Sequence, residues 1–268
     1  MAKIGLIAGS KRFPLIFAQA ARVKGYEVVV FAVKGDAARS IGRCADKVVW
    51  LGLSEFGRLG ELMRREGITE AVMAGQIKPR RLFSAEVMRD AGLRELLHGI
   101  KDNRADTIFS AVIGHLEKSG GVRFLNSTLF LEDMLPARGL LCGPEPSARQ
   151  LEDIDFGFKL AKEAAGLDIG QTVAVKSKAI VGIEAFEGTD NLIRRAGKLS
   201  GRGFTVVKVS KPKQDLRFDI PVVGMGTVKT LLSCGAGCLA IEAGKTLFID
   251  REASLSLARK KGLIITAV

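Results

Sequence analysis

Long hydrophobic runs are missing from this 268-residue sequence. It contains no stretch of about 18 uncharged apolar residues, the length that a membrane-spanning helix needs. The first residues lead directly into a short apolar run, without the charged region, hydrophobic region and cleavage site of a signal peptide. We therefore expect a mature cytoplasmic chain. Hydrophobic residues make up 47% and charged residues 26% of the sequence, which is typical of globular domains and excludes a low-complexity protein.

Histidine and cysteine are scarce, with two and four copies. His98 and His115 fall in helical patterns without an obvious Ser or Cys partner, so a catalytic triad is not favoured. The cysteines show neither disulfide-framework spacing nor paired C-x-x-C motifs: Cys44, Cys142, Cys234 and Cys238. The sequence therefore predicts neither a zinc site nor a disulfide-stapled fold.

The charge of the chain is unbalanced towards lysine and arginine. These residues number 41 against 29 Asp and Glu, a net charge of +12 that divides equally between the two halves. Such a surface attracts anions, whether phosphates, nucleic acids or lipid headgroups. The sequence contains only one Trp and one Tyr, so it has few aromatic side chains to stack on bases. We predict no nucleic-acid partner.

The first half of the sequence alternates strand and helix patterns. Apolar runs predict strands at residues 3–8, 26–33, 47–51, 69–74 and 122–125. Helical spacing predicts helices at residues 13–23, 54–65, 85–100 and 104–118. This alternation predicts a Rossmann-like α/β domain over residues 1–133, with a parallel sheet covered on both faces. Such sheets bind ligands beyond the carboxyl ends of their strands.

A stretch rich in Pro and Gly, residues 134–148, is predicted to be an interdomain linker. The remainder, residues 149–268, mixes both patterns and predicts a mixed α/β domain. Hairpins are predicted to join residues 172–175 to 179–185 and residues 238–243 to 246–248. Helices are predicted at residues 149–165, 190–199, 227–234 and 251–261.

Two turns follow predicted strands at the ligand-binding edge of the first domain. Residues 9–12 (Gly-Ser-Lys-Arg) precede a helix, where free backbone N–H groups and the helix dipole favour an anion. They lack the glycines of a G-x-G-x-x-G fingerprint, so NAD is not favoured. In residues 75–78 (Gly-Gln-Ile-Lys), the Gln suits a base or sugar edge and the Lys a phosphate. Alternatively, the glycines bind no ligand and are present only because the turns require a residue with positive φ.

The most highly charged segment, residues 208–224, holds Asp215 and Asp219 on either side of Arg217, with three lysines nearby. Carboxylates together with substrate phosphates are ligands that Mg²⁺ prefers, and arginine pairs with phosphate through two parallel hydrogen bonds. The alternative is a solvated loop in which these charges compensate one another.

A second acidic cluster, residues 184–190, ends a strand and begins a helix. Thr189 or Asp190 suits the N-cap of that helix, which leaves Glu184 and Glu187 unexplained. Further along the chain, Lys245 lies in a predicted hairpin turn and is available to a phosphate.

Several motifs together carry a family resemblance. They are G-L-I-A-G-S at 5–10, G-Q-I at 75–77, A-D-T-I at 105–108, L-D-I-G-Q at 167–171, E-A-F-E-G-T-D at 184–190, Q-D-L-R-F-D-I-P-V-V-G at 214–224 and E-A-G-K at 242–245. In order and spacing, from end to end, the sequence resembles the UDP-2,3-diacylglucosamine pyrophosphatase family of lipid A biosynthesis, of the two-domain LpxI type. The C-terminal motifs are the more specific ones.

The resemblance implies a metal-dependent hydrolase that cleaves UDP-2,3-diacylglucosamine by water attack at the α-phosphorus, in a cleft between two domains. The products would be UMP and 2,3-diacylglucosamine 1-phosphate (lipid X). The first domain would hold the uridine end and the second the acylated sugar phosphate. Mg²⁺, or another divalent cation such as Mn²⁺, would be the cofactor.

The resemblance also assigns roles to individual residues. Asp219 would be a metal ligand or would activate the attacking water, and Asp215 is the second candidate metal ligand. Arg217 and Gln214 would orient phosphate or acyl-sugar groups. The predicted substrate contacts are Gly9, Ser10, Arg12, Gly75, Gln76, Lys78, Asp106, Gln171, Glu184, Gly188, Thr189, Asp190, Lys208 and Lys245. Of these, Ser10, Gln76 and Asp106 would lie on the uridine side, and Glu184, Thr189 and Asp190 on the glucosamine side.

Two other functions are kept as alternatives. A UDP-sugar transferase would release UDP instead of UMP, and a non-catalytic nucleotide or phospholipid sensor would bind without turnover. The positive charge also suggests weak peripheral association with the inner membrane surface. Whether the chain forms a homodimer is left open.

Overall fold

The computed structural model describes residues 1–77, 81, 89–102 and 104–268. The chain divides into two compact units, of which unit 1 comprises Met1–Leu131 with Asp215–Asp219 and unit 2 comprises Glu132–Gln214 with Ile220–Val268. The segment Asp215–Asp219, which was predicted to lie in the second domain, therefore packs with the first unit. Strands and helices are numbered below in chain order among the described residues.

Unit 1 is built on a five-stranded sheet in which every neighbouring pair of strands is parallel. The order is β3-β2-β1-β4-β5. The strands are β1 (Lys3–Ala8), β2 (Glu27–Val33), β3 (Lys47–Leu51), β4 (Glu70–Ala74) and β5 (Arg123–Phe124). Nearly all of β1, β2 and β4 is buried, as expected for strands covered on both faces. The predicted Rossmann-like parallel sheet is confirmed.

The helices of unit 1 lie between these strands along the chain. They are α1 (Phe13–Val23), α2 (Leu59–Arg65), α3 (Ala91–His98) and α4 (Ala105–Gly120), with 3₁₀ turns at Arg39–Arg43 and Leu53–Arg58. Pro14 lies in the first turn of α1, where its missing N–H has no cost. Asp90 caps α3 by accepting the Leu93 N–H at 2.9 Å. Part of the helix predicted over residues 85–100 lies outside the described residues.

Unit 2 contains a six-stranded mixed sheet in the order β6-β13-β11-β9-β7-β8. In its centre β9, β11 and β13 are parallel, while β6 and β7 join them antiparallel and β8 pairs antiparallel with β7. Its strands are β6 (Gly139–Cys142), β7 (Thr172–Lys176), β8 (Ala179–Ile183), β9 (Thr205–Lys208), β11 (Cys238–Ile241) and β13 (Ile264–Ala267). A separate parallel pair is formed by β10 (Val222–Val223) and β12 (Leu247–Phe248).

Four helices of unit 2 connect these strands: α5 (Ala148–Gly166), α6 (Thr189–Ser200), α7 (Met225–Cys234) and α8 (Arg251–Lys260). Ser147 and Gln150 form a capping box at the start of α5. The predicted mixed α/β character of this half is confirmed.

The predicted hairpin between residues 172 and 185 is confirmed by β7 and β8. Its turn places Ser177 and Lys178 in the left-handed region, at φ values of 55° and 58°, as a two-residue hairpin turn requires. The second predicted hairpin is wrong, because β11 pairs with β9 and β13 while β12 pairs in parallel with β10. All four residues of β11 are buried, which is the property of a central strand.

The predicted linker over residues 134–148 also differs from the structure. It contains β6, an edge strand that pairs antiparallel with β13. Pro136, Pro144 and Pro146 lie outside the paired residues Gly139–Cys142, so the prolines interrupt no ladder hydrogen bond.

Candidate functional site

In unit 1 the turns after β1 and β4 meet at the carboxyl edge of the sheet, where the strand order changes direction. The Ser10 backbone N–H and hydroxyl both donate to the Gln76 carbonyl oxygen, each at 2.7 Å. The structure therefore brings together Ser10 and Gln76, two predicted uridine contacts. The expectation of free N–H groups in this turn is wrong for Ser10, since Gln76 accepts from both of its donors.

Two glycines make this meeting of turns possible. A Cβ atom on Gly9 would lie 2.7 Å from the Gln76 carbonyl oxygen, and one on Gly75 would lie 2.5 Å from the Ser10 carbonyl oxygen. Gly75 also has φ +85°, a conformation that L side chains rarely adopt. These positions therefore require glycine for close backbone approach, and the Gln76 side chain at the turn is exposed.

Three further predicted substrate contacts belong to the first half of the chain. Arg12 is exposed at the N-cap of α1, and its side chain makes no capping hydrogen bond there. Asp106 lies in the first turn of α4, where a carboxylate complements the helix dipole. Lys78 lies outside the described residues.

The segment Asp215–Asp219 is held on unit 1 by contacts of backbone and side chain. The Ser127 N–H donates to the Leu216 carbonyl oxygen at 2.8 Å. The Phe218 ring packs against Phe109 of α4, with 5.7 Å between ring centroids. The backbone N–H of Asp219 donates to the Asp215 carbonyl oxygen at 3.0 Å, which closes a turn. The partly buried Asp219 carboxylate is thus carried on an anchored loop.

Arg217 bonds two carboxylates within this loop and beside it. Its Nε lies 3.0 Å from Asp215 Oδ1 and its Nη2 lies 2.8 Å from Asp215 Oδ2, while Nη1 lies 3.5 Å from Oε2 of Glu117 on α4. Burial raises the pKa of Asp215, but the hydrogen bonds and charge of Arg217 outweigh burial and lower it overall. Sequence reasoning missed Glu117, which has no distinguishing signal among the polar residues of α4.

A buried polar cluster lies at one edge of the unit 2 sheet, where β9 and β8 end and β7 begins. Lys208 Nζ lies 2.8 Å from Thr189 Oγ1 and 3.3 Å from Thr172 Oγ1. The Thr189 hydroxyl donates to Glu184 Oε1 at 2.9 Å, and Glu184 Oε2 lies 3.9 Å from Lys208 Nζ. The structure therefore brings together Glu184, Thr189 and Lys208, three predicted substrate contacts that are far apart in sequence.

Glu184 in this cluster has the chemistry of an ionised acceptor. Burial raises its pKa, but the Lys208 charge and hydrogen bonds from Thr172, Thr189 and the Gln171 backbone more than offset it, so the pKa lies below the ordinary value of 4.5. Glu184 Oε2 and Asp190 Oδ1 are buried atoms without a hydrogen-bond partner in the described part of the chain. Both can accept a hydrogen bond from a ligand hydroxyl or amide.

The start of α6 accounts for the position of Gly188 and for the direction of the Thr189 hydroxyl. Gly188 is the N-cap, with φ +80°, and no side chain caps the helix there. The prediction that Thr189 or Asp190 serves as the N-cap is therefore wrong. Because Gly188 takes that position, the Thr189 hydroxyl is directed to Lys208 and Glu184 instead.

A second ionic cluster lies at the end of β11. The buried Glu242 carboxylate accepts from the Ser210 N–H at 2.8 Å and hydroxyl at 2.9 Å, and from Lys162 and Lys245 Nζ at 3.0 Å each. Burial raises its pKa, but hydrogen bonds from the Ser210 backbone and from the two lysines outweigh burial and lower the pKa below its ordinary value. Lys245, predicted to contact phosphate, is thus paired with Glu242. Sequence reasoning missed Lys162 and Ser210, whose partners are distant in the chain.

Gln214 closes a turn, since its Oε1 accepts the Lys211 N–H at 2.6 Å. Lys211 Nζ in turn lies 2.5 Å from Asp168 Oδ1. The backbone carbonyl of Gln171, another predicted contact, accepts the Val209 N–H at 2.9 Å and ties the start of β7 to the end of β9. These residues support the loops that flank the two clusters.

The two residues predicted to bind metal, Asp215 and Asp219, differ in their donor chemistry. Within residues 1–77, 81, 89–102 and 104–268, no three His, Cys, Asp or Glu side chains form a group suited to a metal ion. Both oxygens of Asp215 accept hydrogen bonds from Arg217, which reduces the lone pairs available to a metal. Asp219 has the carboxylate oxygens that suit Mg²⁺ when substrate phosphates complete its coordination.

No helix in the same described residues has the length and apolar character to span a bilayer.

The solved structures that the chain matches share little sequence with it. A UDP-glucose-4-epimerase from Stenotrophomonas maltophila, with bound NAD and formylated UDP-arabinopyranose, is 14% identical, with 55% of this chain and 40% of that chain covered and a TM-score of 0.31. N5-carboxyaminoimidazole synthetase from Staphylococcus aureus, complexed with ADP, is 16% identical, with 80% and 42% covered and a TM-score of 0.27. The chain thus spans less than half of either structure.

Sequence comparisons cover the chain much more fully. The LpxI N-terminal domain model matches residues 3–134 and the LpxI C-terminal domain model matches residues 137–266. A relative from Caulobacter vibrioides, named UDP-2,3-diacylglucosamine pyrophosphatase LpxI, is 31% identical over 100% of this chain and 98% of its own length. The chain belongs to the LpxI family.

Proposed function

We propose that this protein hydrolyses UDP-2,3-diacylglucosamine to UMP and 2,3-diacylglucosamine 1-phosphate. The observation that carries the proposal is the full-length similarity to the Caulobacter vibrioides pyrophosphatase, together with both LpxI domain matches. In the proposed reaction a water oxygen bonds to the α-phosphorus while the bond from that phosphorus to the bridging oxygen breaks. The bridging oxygen leaves with the sugar phosphate, and the water's protons pass to solvent or to the products.

Asp219 is the residue to which we assign catalysis. It lies on a loop fixed to unit 1 by the Ser127–Leu216 hydrogen bond and the Phe109–Phe218 contact. A carboxylate on a fixed loop can orient or deprotonate a water molecule, or bind a cation, without the entropic cost of ordering the loop at each turnover.

A divalent cation, Mg²⁺ or Mn²⁺, is part of the proposal. Asp219 would hold the cation together with the substrate phosphates. We propose that Asp215 is a partner of Arg217 and not a metal ligand, because Arg217 bonds both Asp215 oxygens. When bound, the cation would neutralise charge that develops on the phosphates during cleavage. Arg217 would contribute positive charge beside it, and its pairing with Asp215 would keep the loop in one conformation.

The cluster at the unit 2 sheet edge would bind the acylated sugar phosphate. Lys208 supplies a cation, which suits phosphate, and the Thr189 hydroxyl, which accepts from Lys208 and donates to Glu184, holds the two side chains together. The buried unpartnered oxygens Glu184 Oε2 and Asp190 Oδ1 would accept from sugar hydroxyls or amides, which removes the cost of leaving them unsatisfied.

The turns after β1 and β4 would bind the uridine part of the substrate. The exposed Gln76 amide has both a donor and an acceptor and suits the edge of uracil. Arg12, exposed at the start of α1, would pair with a phosphate. The shared hydrogen bonds between Ser10 and Gln76 would hold the two turns in register.

The net charge of +12 supports a further part of the proposal, that a cytoplasmic protein meets its lipid substrate at an anionic membrane surface. Cosedimentation with anionic vesicles at low salt tests it. Binding that weakens with added salt is expected, and a protein that stays entirely in the supernatant would contradict it.

The proposed activity is tested with the purified protein, UDP-2,3-diacylglucosamine and MgCl₂ or MnCl₂, with products identified by mass spectrometry. UMP and 2,3-diacylglucosamine 1-phosphate are expected, and EDTA is expected to abolish both. Release of UDP would indicate a transferase. Binding of intact substrate with no product under either metal would indicate a sensor and would contradict the proposal.

A further inference from the structure

The loop that carries Asp219 is tied to helix α4 by a residue that none of the motifs contains. Glu117 lies near the end of α4, and its two carboxylate oxygens reach two different segments. Oε1 accepts the backbone N–H of Phe124, in β5, at 3.1 Å, and Oε2 lies 3.5 Å from Nη1 of Arg217. One side chain therefore joins α4, the edge strand and the Asp219 loop.

Arg217 transmits this contact to the loop. Its Nε and Nη2 bond the two oxygens of Asp215, which leaves Nη1 to face Glu117. The Asp215 carbonyl oxygen then accepts the Asp219 N–H at 3.0 Å. A continuous series of polar contacts thus runs from Glu117 through Arg217 and Asp215 to the backbone of Asp219.

The Arg217 guanidinium in this series lies between two carboxylate charges, those of Asp215 and Glu117. The side chains of Glu117 and Arg217 are about one-third exposed, 34% and 35%. At such exposure the pair contributes little to global stability, and its main effect is on side-chain orientation.

We propose that Glu117 is a positioning residue, which orients the Asp219 loop through Arg217 without contacting substrate. This inference rests on the proposed hydrolysis and deepens it. Phe109 packing and the Ser127 hydrogen bond hold the middle of the loop, and Glu117 fixes the rotamer of the arginine at its centre. Without that contact the guanidinium is held only by Asp215, and the turn that carries Asp219 loses one of its supports.

The variant Glu117→Gln separates this role from a structural one. Glutamine keeps an oxygen for the Phe124 N–H but removes the charge that faces Arg217. We expect kcat to fall about tenfold, because small misplacements of reacting groups cost one to two orders of magnitude. We expect KM to stay within about twofold, since substrate binding groups are untouched. The thermal unfolding midpoint is expected to match the wild type.

The matched control is Glu61→Gln. Glu61 is also a helical glutamate of unit 1 and pairs with Arg65 at exposed positions remote in sequence from the motif. It should retain wild-type kcat. A double-mutant cycle with Arg217→Lys adds a second test, because Glu117→Gln should cost little more once the guanidinium fork is gone. Full additivity, or a kcat of Glu117→Gln equal to that of Glu61→Gln, would overturn the inference.

Hydrogen exchange supplies a readout that does not depend on turnover. The Asp219 amide, which donates to the Asp215 carbonyl, is expected to exchange about threefold faster or more in Glu117→Gln, while amides of β1 and β2 stay protected. Unchanged exchange at Asp219 would overturn the inference. If the wild-type protein releases no UMP, the proposed function fails, and hydrogen exchange alone then decides whether Glu117 orders this loop.

Discussion

Asp215 in unit 1 and Glu184 in unit 2 are both carboxylates beside a single cation, yet they are satisfied in different ways. Arg217 bonds both oxygens of Asp215 through two parallel hydrogen bonds. In contrast, Lys208 reaches Glu184 mainly through the Thr189 hydroxyl, and Glu184 Oε2 remains without a hydrogen bond in the described chain. Both pKa values are lowered, so the direction of the shift does not distinguish the two sites.

The difference lies in the remaining hydrogen-bonding capacity. Asp215 has its strongest acceptor positions occupied, as is typical of a residue that shapes a loop. Glu184 is more deeply buried and still has an oxygen to offer, which is costly unless a ligand uses it. We therefore propose that Asp215 shapes the loop and that Glu184 binds substrate, and each variant below tests that difference.

The largest effect is expected for Asp219→Ala. Removal of a group that activates water or holds the cation should lower kcat by about 10²- to 10⁴-fold, the usual contribution of a general base. Binding of UDP-2,3-diacylglucosamine, measured by calorimetry, should persist. A variant that keeps more than half of the wild-type turnover would remove Asp219 from the mechanism.

Lys208→Met should have the next largest effect, on stability and on substrate affinity. It leaves the Glu184 charge buried without its cation, and breaking such pairs costs about 3 kcal/mol. Chemical denaturation measures the loss. Lys198→Met is the matched control, because Lys198 is exposed on α6 in the same unit and should change the free energy of unfolding by less than about 0.5 kcal/mol. Equal effects of the two variants would contradict the assignment.

Thr189→Ala removes the hydroxyl that links Lys208 to Glu184, while Thr189→Ser retains it. The alanine variant should lose about 1.5–3 kcal/mol of unfolding free energy, the usual contribution of a hydrogen bond to a charged group. It should also raise KM more than it lowers kcat. If serine fails to restore KM, the hydroxyl is not the group that matters.

The smallest effect concerns pH. The folded-state pKa of Glu184 lies below its ordinary value of 4.5, so its stabilising contribution is present above that value and is lost as the pH falls through the lowered pKa. The difference in unfolding free energy between wild type and Glu184→Gln should therefore favour the wild type at neutral pH and decline in acid. A difference that stays constant from pH 7 to pH 3 would show that the glutamate is not held in its charged form.

Much of the fold could be predicted because local patterns were strong. The apolar run of β1 and the amphipathic spacing of α1 match the structure residue for residue, at Lys3–Ala8 and Phe13–Val23. The short strands were harder. The two residues of β12 are too few to show the alternating hydrophobic pattern of a strand, and the Gly-Lys turn before them indicated a hairpin. The pairing of β12 with β10 instead depends on contacts between residues that are distant in sequence. Similarly, the Pro and Gly residues around β6 predicted a linker, although β6 is an edge strand that pairs with β13.

The candidate site was predicted from motifs. They indicated Glu184, Thr189, Asp219 and Arg217 as candidates, whose roles stay predictions, and no spacing rule indicated that the loop with Asp219 packs on unit 1. Glu117 and Lys162 escaped prediction for a related reason. Each is an ordinary charged residue in its own helix, and only the folded chain brings its partners near.

The most direct test of the account is hydrolysis of UDP-2,3-diacylglucosamine in water labelled with oxygen-18, with mass spectrometry of both products. Attack on the α-phosphorus predicts one labelled oxygen in UMP and none in 2,3-diacylglucosamine 1-phosphate. Label in the sugar phosphate would place the attack on the β-phosphorus and contradict the account, as would UMP that forms without label.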